Sequence, residues 1–257
     1  MIILWLYKNY NFYISYNSIM NICFIGNSHV SQLYNNIENV NCDLPIYYTH
    51  PILAIYKMGA SIKGLVNANS QLGLAVSINN FLNINPSYKL IYFLGQVDIE
   101  FGYYYKCIKD NIKYDVHEYI INLINLYELY LLNMITKTKN IYILSINPCV
   151  LTSNERLFDI CFKEDAGKLG YYSENSASIN YENSKNFIDA YNIRYNNNKL
   201  FNKYLKEMCI KNNFNYIDYW HLVEENGNVK EEYKPKNIDH HLLNPNNNIF
   251  DFICSKL

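Results

Sequence analysis

The chain has no run of about 18 or more consecutive apolar residues, the length that a membrane-crossing helix needs, so no membrane span is expected. It also has almost no net charge: 22 basic side chains against 23 acidic ones leave a formal −1. No broad attraction to nucleic acid or to an anionic membrane follows from that balance. Cys-x-x-Cys pairs are missing too. The seven cysteines (Cys23, Cys42, Cys107, Cys149, Cys161, Cys209 and Cys254) are scattered and odd in number. They indicate neither a zinc knuckle nor a redox motif, and a reduced, cytoplasmic protein is the expectation. No Gly-x-x-x-x-Gly-Lys-Ser/Thr loop occurs and Gly26 belongs to no Gly-x-Gly-x-x-Gly run, which disfavours nucleotide cofactors. The Gly-x-Ser-x-Gly elbow is absent because Val30 stands where its last glycine would be. The apolar segment Met1 to Leu6 has no basic stretch before it and is too short for a signal-peptide core. Met20 falls just ahead of the first convincing strand. Residues 1–19 therefore read as an upstream start or accessory extension, and 20–257 as a single domain.

What is present suits a large packed core: half of the 257 residues are hydrophobic, with 27 tyrosines and 12 phenylalanines. Strand candidates are Asn21–Ile25, Leu53–Met58, Lys89–Leu94, Asn140–Ile146 and Asn215–Asp218. Between them lie helical stripes, one of Ile120, Ile124, Tyr127, Leu131 and Ile135, another of Leu200, Phe201, Tyr204, Leu205, Met208 and Cys209. Short strands alternating with helices predict a three-layer α/β/α sandwich around a mainly parallel sheet of about five strands. Residues 147–186 have weaker periodicity and contain Pro148, Gly167 and Gly170, so they read as an insertion or lid-like excursion.

In such sheets functional groups gather beyond the carboxyl ends of the strands. Gly26-Asn27-Ser28 follows the first strand, Gly59-Ala60-Ser61 the second and Gly95-Gln96-Val97-Asp98 the third. The buried run Ile22 to Ile25 ends in a glycine that permits a sharp exit, and Ser28 then sits among the unpaired N–H groups of a helix start. That arrangement suits a nucleophile, and it equally suits a turn with a capping serine. Acyl transfer by serine also needs a base, a group to orient the base and donors for the oxyanion. The candidate base lies in Asn237-Ile238-Asp239-His240-His241-Leu242, where two imidazoles follow a carboxylate. No further His, Cys and carboxylate set has recognisable ligand spacing, so no metal is expected.

Gly26-Asn27-Ser28-His29, Gly59-Ala60-Ser61-Ile62-Lys63-Gly64, Leu94-Gly95-Gln96-Val97-Asp98 and Asp239-His240-His241-Leu242 resemble, in order and spacing, the four blocks of the SGNH (GDSL-like) hydrolases. The resemblance spans residues 20–257 and implies the sandwich fold, an esterase or acyl transferase acting on a small-molecule or glycan ester, and no cofactor. It implies Ser28 as nucleophile, with its own N–H and that of Gly64 as oxyanion donors. A C-terminal histidine would be the base, His241 favoured and His240 close behind, with Asp239 orienting it. His29, next to the candidate nucleophile, either caps the turn or lines the substrate site, and Asp98 is either a hydrogen-bonding anchor at a strand end or a second substrate contact. Three departures stand out. Asn27 replaces the usual Asp of the first block. Val97 replaces the Asn that normally donates to the oxyanion, leaving Gln96 as a substitute on the opposite face of an extended segment. The familiar Asp-x-x-His spacing is broken, because Asp239 precedes His241 by two positions, while Asn237 stands three before His240. The third block looks more like the Gly-Glu-Val/Ile-Asp version of a divergent branch, some of whose members are linked to glycan assembly. A catalytically inactive domain that binds a glycan or protein through the same cleft is the alternative.

Overall fold

Every residue of Ile22–Gly26 (β1) is buried, as an unbroken apolar run must be if it occupies the centre of a sheet covered on both faces. The computed structural model describes residues 21–34, 37–40, 50–164, 179–236 and 239–257. In it, β1 pairs in parallel with Ile52–Tyr56 (β3) on one side and Lys89–Phe93 (β4) on the other. Glu38–Asn39 (β2) edges β3, and Ile141–Leu144 (β5) and Asn215–Ile217 (β6) extend the sheet beyond β4. The result is a six-stranded parallel sheet in the order β2-β3-β1-β4-β5-β6, an α/β architecture of the expected kind. The strand beyond the expected five is β2, two exposed edge residues with no apolar run to announce them. A small antiparallel ribbon, Glu224–Glu225 (β7) with Asn228–Val229 (β8), is likewise too short to carry a periodicity.

The helices are α1 (Ile62–Val66), α2 (Leu74–Ile84), α3 (Tyr103–Asp110), α4 (Val116–Met134), α5 (Asn154–Asp159), α6 (Tyr181–Ser184), α7 (Tyr191–Asn212), α8 (Trp220–Val223) and α9 (Asn248–Cys254). Adjacent strand residues point to opposite faces, and Tyr92 and Phe93 of β4 show what covers each. Tyr92 meets Tyr130 of α4, with ring centroids 6.2 Å apart; α4 packs beside α1 and α7 in that layer. Phe93 meets His29, also at 6.2 Å, in the turn after β1, and α9 joins that second layer by setting Phe250 against Phe24 and Tyr34.

Local sequence explains the long helices. Asp115 caps α4 by accepting from the Glu118 N–H, and Ile120, Ile124, Tyr127 and Leu131 form its buried stripe. Each such fully buried side chain contributes about 1.5–3 kcal/mol. Ile135 falls just past the last turn and stays exposed. On α7, Phe201, Leu205, Met208 and Cys209 are buried while Leu200 and Tyr204 are partly so. Asn213, at φ 56°, ends α7 by donating its N–H back to Cys209 and Ile210. The first part of the excursion after β5 is packed, with Leu157, Phe158, Ile160, Cys161 and Phe162 buried. Its middle, 165–178, and residues 1–19 lie outside the described residues. Among those described, no helix is long and apolar enough to cross a membrane.

Two glycines fix the strand exits. A Cβ on Gly26 would stand 2.4 Å from the Phe93 carbonyl oxygen and 2.8 Å from Val30 Cγ2. Gly95, at φ +113°, has the Phe201 ring packed where its Cβ would be, 2.4 Å away. Because the obstacle at Gly26 is backbone of the neighbouring strand, Gly26→Ala is expected to destabilise by about 1–3 kcal/mol, the cost of overpacking a full core. Urea denaturation checks this, and an unchanged midpoint would contradict so close an approach of β1 and β4.

Candidate active site

Ser28 is positioned by the chain's exit from β1. Asn27 accepts the His29 N–H on its Oδ1 at 3.0 Å and so caps the short 3-10 turn Ser28–Gln32. Ser28 heads that turn, where a backbone N–H has no intrahelical acceptor. Its Oγ lies 2.9 Å from His241 Nε2.

His241 reaches it from a loop just before α9. Asp239 Oδ1 accepts from the His240 N–H at 2.6 Å, from the His241 N–H at 3.3 Å and from His241 Nδ1 at 2.8 Å. A carboxylate bonding the N–H groups that follow it makes a turn, and this one folds the His241 ring back onto its own carboxylate. That is how a two-residue separation closes where the three-residue spacing is absent. Asn237 and Ile238 lie outside the described residues. Asn244 holds the loop against the Ser28 turn by donating from Nδ2 to the Leu33 carbonyl at 2.7 Å, and Leu242 is buried beneath it. An ionised carboxylate only accepts, so Nδ1 of His241 carries the proton and Nε2 accepts the Ser28 hydroxyl hydrogen. Partial burial works against the Asp239 charge. The bond from His241, the charges of His241 and His240 and the His240 N–H outweigh it and hold the carboxyl below its ordinary pKa.

Behind this line lies His29, 1% exposed, its ring 4.5 Å from that of His241 and 5.4 Å from that of His240. Burial first, then the neighbouring His241 and His240, push its pKa well below 6.5, so it stays neutral. His29 is therefore a back wall to the two imidazoles and not an open substrate contact, a correction to the sequence expectation. Its Nδ1 pairs with Asn147 Nδ2 at 3.2 Å. Asn147 is a hub: its N–H donates to Gln96 Oε1 at 2.7 Å, its carbonyl accepts from Asn198 Nδ2 at 3.0 Å, and its Oδ1 accepts from the Tyr219 hydroxyl. Neither Asn147 nor Tyr219 stood out in the sequence. The available signal was position alone, since both follow the carboxyl ends of strands, β5 and β6.

The remaining nominated residues are engaged elsewhere. The Gly64 N–H, expected as an oxyanion donor, is 2.9 Å from Ser61 Oγ, because Ser61 caps α1. Gln96, the substitute donor, is buried and bonded to Asn147 and Glu100. Asp98 is 2% exposed and accepts from the Ile62 and Lys63 N–H groups at 2.7 and 3.4 Å. It therefore anchors the start of α1 instead of meeting substrate; burial raises its carboxyl to about 6 against those bonds. Of the named oxyanion donors, the Ser28 N–H is the one left without such a partner among the described residues.

No family model and no curated protein matches the chain. Among solved structures it is similar to a Streptococcus pneumonia protein described as a "putative platelet activating factor", at 16% identity over 99% of this chain and 97% of that one, with a TM-score of 0.46. A likeness of that degree leaves the functional case to the side chains.

Glu100 sits under the hub, 3% exposed, with Oε1 accepting from Asn198 at 2.8 Å and Oε2 without a partner among the described residues. Burial raises its carboxyl from 4.5 to about 7 against bonds from Asn198 and Gln96 and the Arg194 charge. The folded state thus holds this proton more tightly than the unfolded chain. Its stabilising contribution is complete below pH 4.5 and is lost as pH rises through about 7. Relative to wild type, Glu100→Gln is expected to gain about 3 kcal/mol of stability between about pH 4 and pH 8. Urea denaturation across that range measures it, and a pH-independent difference would contradict a protonated Glu100.

Proposed function

We propose that this chain is a serine hydrolase of the SGNH (GDSL-like) type, an esterase or acyl transferase acting on a small acyl ester. Carbohydrate-linked acyl groups are the substrate class favoured by the likeness of Gly95-Gln96-Val97-Asp98 to the glycan-assembly branch. The observation that carries this reading is the unbroken line from Ser28 Oγ to His241 Nε2 at 2.9 Å and from His241 Nδ1 to Asp239 Oδ1 at 2.8 Å.

Ser28 Oγ attacks the ester carbonyl carbon as its proton passes to His241 Nε2. Asp239, kept ionised, orients the ring and stabilises the imidazolium. The Ser28 N–H meets the oxyanion of the tetrahedral intermediate. Collapse breaks the ester C–O bond, and the departing alkoxide takes the proton from His241. Water, or an acceptor alcohol in the transfer reaction, then attacks the acyl-Ser28 ester with His241 as base and restores the free hydroxyl. This route draws on no metal or organic cofactor.

A second reading rests on the oxyanion side. With Val97 lacking a donor and the Gly64 N–H and Gln96 engaged elsewhere, each missing donor costs about 2.7–4 kcal/mol of transition-state stabilisation, or about 10²–10³ in kcat. A domain that binds a glycan or protein partner and turns over slowly or not at all fits that shortfall.

Under the leading reading, Ser28→Ala lowers kcat on short-chain acyl esters or acetylated sugars by about 10³ or more, and Asp239→Asn lowers kcat by about 10²–10⁴ with little change in KM. Steady-state kinetics checks both. Wild-type turnover that Ser28→Ala leaves unchanged would refute the nucleophile, and saturable glycan binding without turnover would favour the second reading.

A further inference from the structure

We infer that His29, His240 and His241 form a binding site for a borderline divalent cation of the zinc class, and that the bound cation takes the base away from Ser28. The inhibitory half rests on the hydrolase reading; the binding half does not.

One nitrogen from each of the three rings lies within 4.8 Å of the others. Tetrahedral zinc, with Zn–N bonds of about 2.0–2.1 Å, needs its nitrogens about 3.3–3.5 Å apart. Closing that difference asks for about an ångström of ring movement. The rings placed to supply it are His240 and His241, on the loop before α9 with side chains 16% and 17% exposed. His29 is the fixed member, held in the core.

An independent observation points the same way. His29 Nε2 is buried and has no hydrogen-bond partner among the described residues, although Nδ1 of the same ring is paired with Asn147. A metal bond would give that atom its missing partner.

The outer contacts of such a site are already in place. A metal-bound imidazole characteristically donates its other N–H to an oxygen that fixes its orientation. His241 does so to Asp239 at 2.8 Å, and Nδ1 of His240 lies 3.5 Å from the same oxygen. For His29 to offer a lone pair from Nε2, its Nδ1 must carry the proton and donate to Asn147. Rotation of the Asn147 amide by half a turn presents its oxygen to Nδ1. The Tyr219 hydroxyl, now bonded to that oxygen, accepts from the amide nitrogen as readily as it donates. The hub therefore serves either tautomer. Three imidazoles without a thiolate suit zinc, cobalt, nickel or copper and not the hard cations magnesium and calcium.

His241 Nε2 has one lone pair. It accepts the Ser28 hydroxyl hydrogen at 2.9 Å or binds the cation, and it cannot do both. Occupancy thus switches the serine off, leaving its hydroxyl or a water to complete the coordination.

The test uses cobalt chloride as a spectroscopic probe on the full chain freed of metal with a chelator. One equivalent of Co2+ is expected to give the intense visible absorption of tetrahedral coordination, displaced by Zn2+ and indifferent to excess Mg2+ or Ca2+. His240→Ala, on a half-exposed loop, is expected to weaken Co2+ at least about tenfold, and Asp239→Asn about 10–100-fold. Stoichiometric Zn2+ is expected to abolish ester hydrolysis, and chelation to restore it. Absence of a cobalt spectrum, or one that His240→Ala and His29→Gln both leave unaltered, would overturn the site. The two readings fail separately. Cobalt binding by a metal-free protein with no esterase activity sinks the hydrolase and keeps the site. Esterase activity indifferent to zinc, with no cobalt spectrum, does the reverse.

Discussion

The contact between Ser28 and His241 joins residues 213 positions apart, and nothing local to either segment would bring them together. It depends on a parallel sheet in which β1 is central and its carboxyl end opens between β3 and β4. The close passage of Gly26 against the Phe93 carbonyl sets where the chain leaves β1. The final segment is then drawn over the same margin by α9, whose Phe250 packs on Phe24 of β1 itself. Asn244 pins the intervening loop to Leu33, just past the Ser28 turn. The meeting of Ser28 with His241 is a by-product of how one helix covers one strand.

Beneath it, the polar residues form a connected scaffold. Asn147 uses its N–H, carbonyl and amide to tie Gln96, Asn198, Tyr219 and His29 together. Polar groups in a core are costly unless bonded, and this hub bonds most of those near the site. Among the described residues it leaves over His29 Nε2 and one oxygen each of Glu100 and Asn198, with Asn27 Nδ2 beside Ser28 also unpaired. The same burial that raises Glu100 lowers His29, because desolvation disfavours whichever form is charged.

Much of this was legible in the chain. The five longer strands and both long helices announced themselves through apolar runs and stripes. Ser28, Asp239 and His241 stood out as residue types at strand or segment ends. What escaped notice lacked such a signature. β2 is two exposed residues at a sheet edge, and Asn147 and Tyr219 are ordinary residues in a sequence rich in both types. Block position nominates Gly64, Gln96 and His29, whereas Asp98 at its strand end is legible as the anchor it is. The partners of the first three follow from a capping serine and a buried amide hub, neither of which spacing encodes. The broken Asp-His spacing closes only through the turn that the Asp239 carboxylate makes.

Covalent labelling with a fluorophosphonate, located by peptide mass spectrometry on chelator-treated protein, tests the pairing of Ser28 with His241 most directly. One adduct is expected, on Ser28, formed far more slowly when His241 is replaced by Ala. An adduct on another residue, or labelling of Ser28 at a rate that ignores His241, would contradict the claim that these two side chains work as a pair.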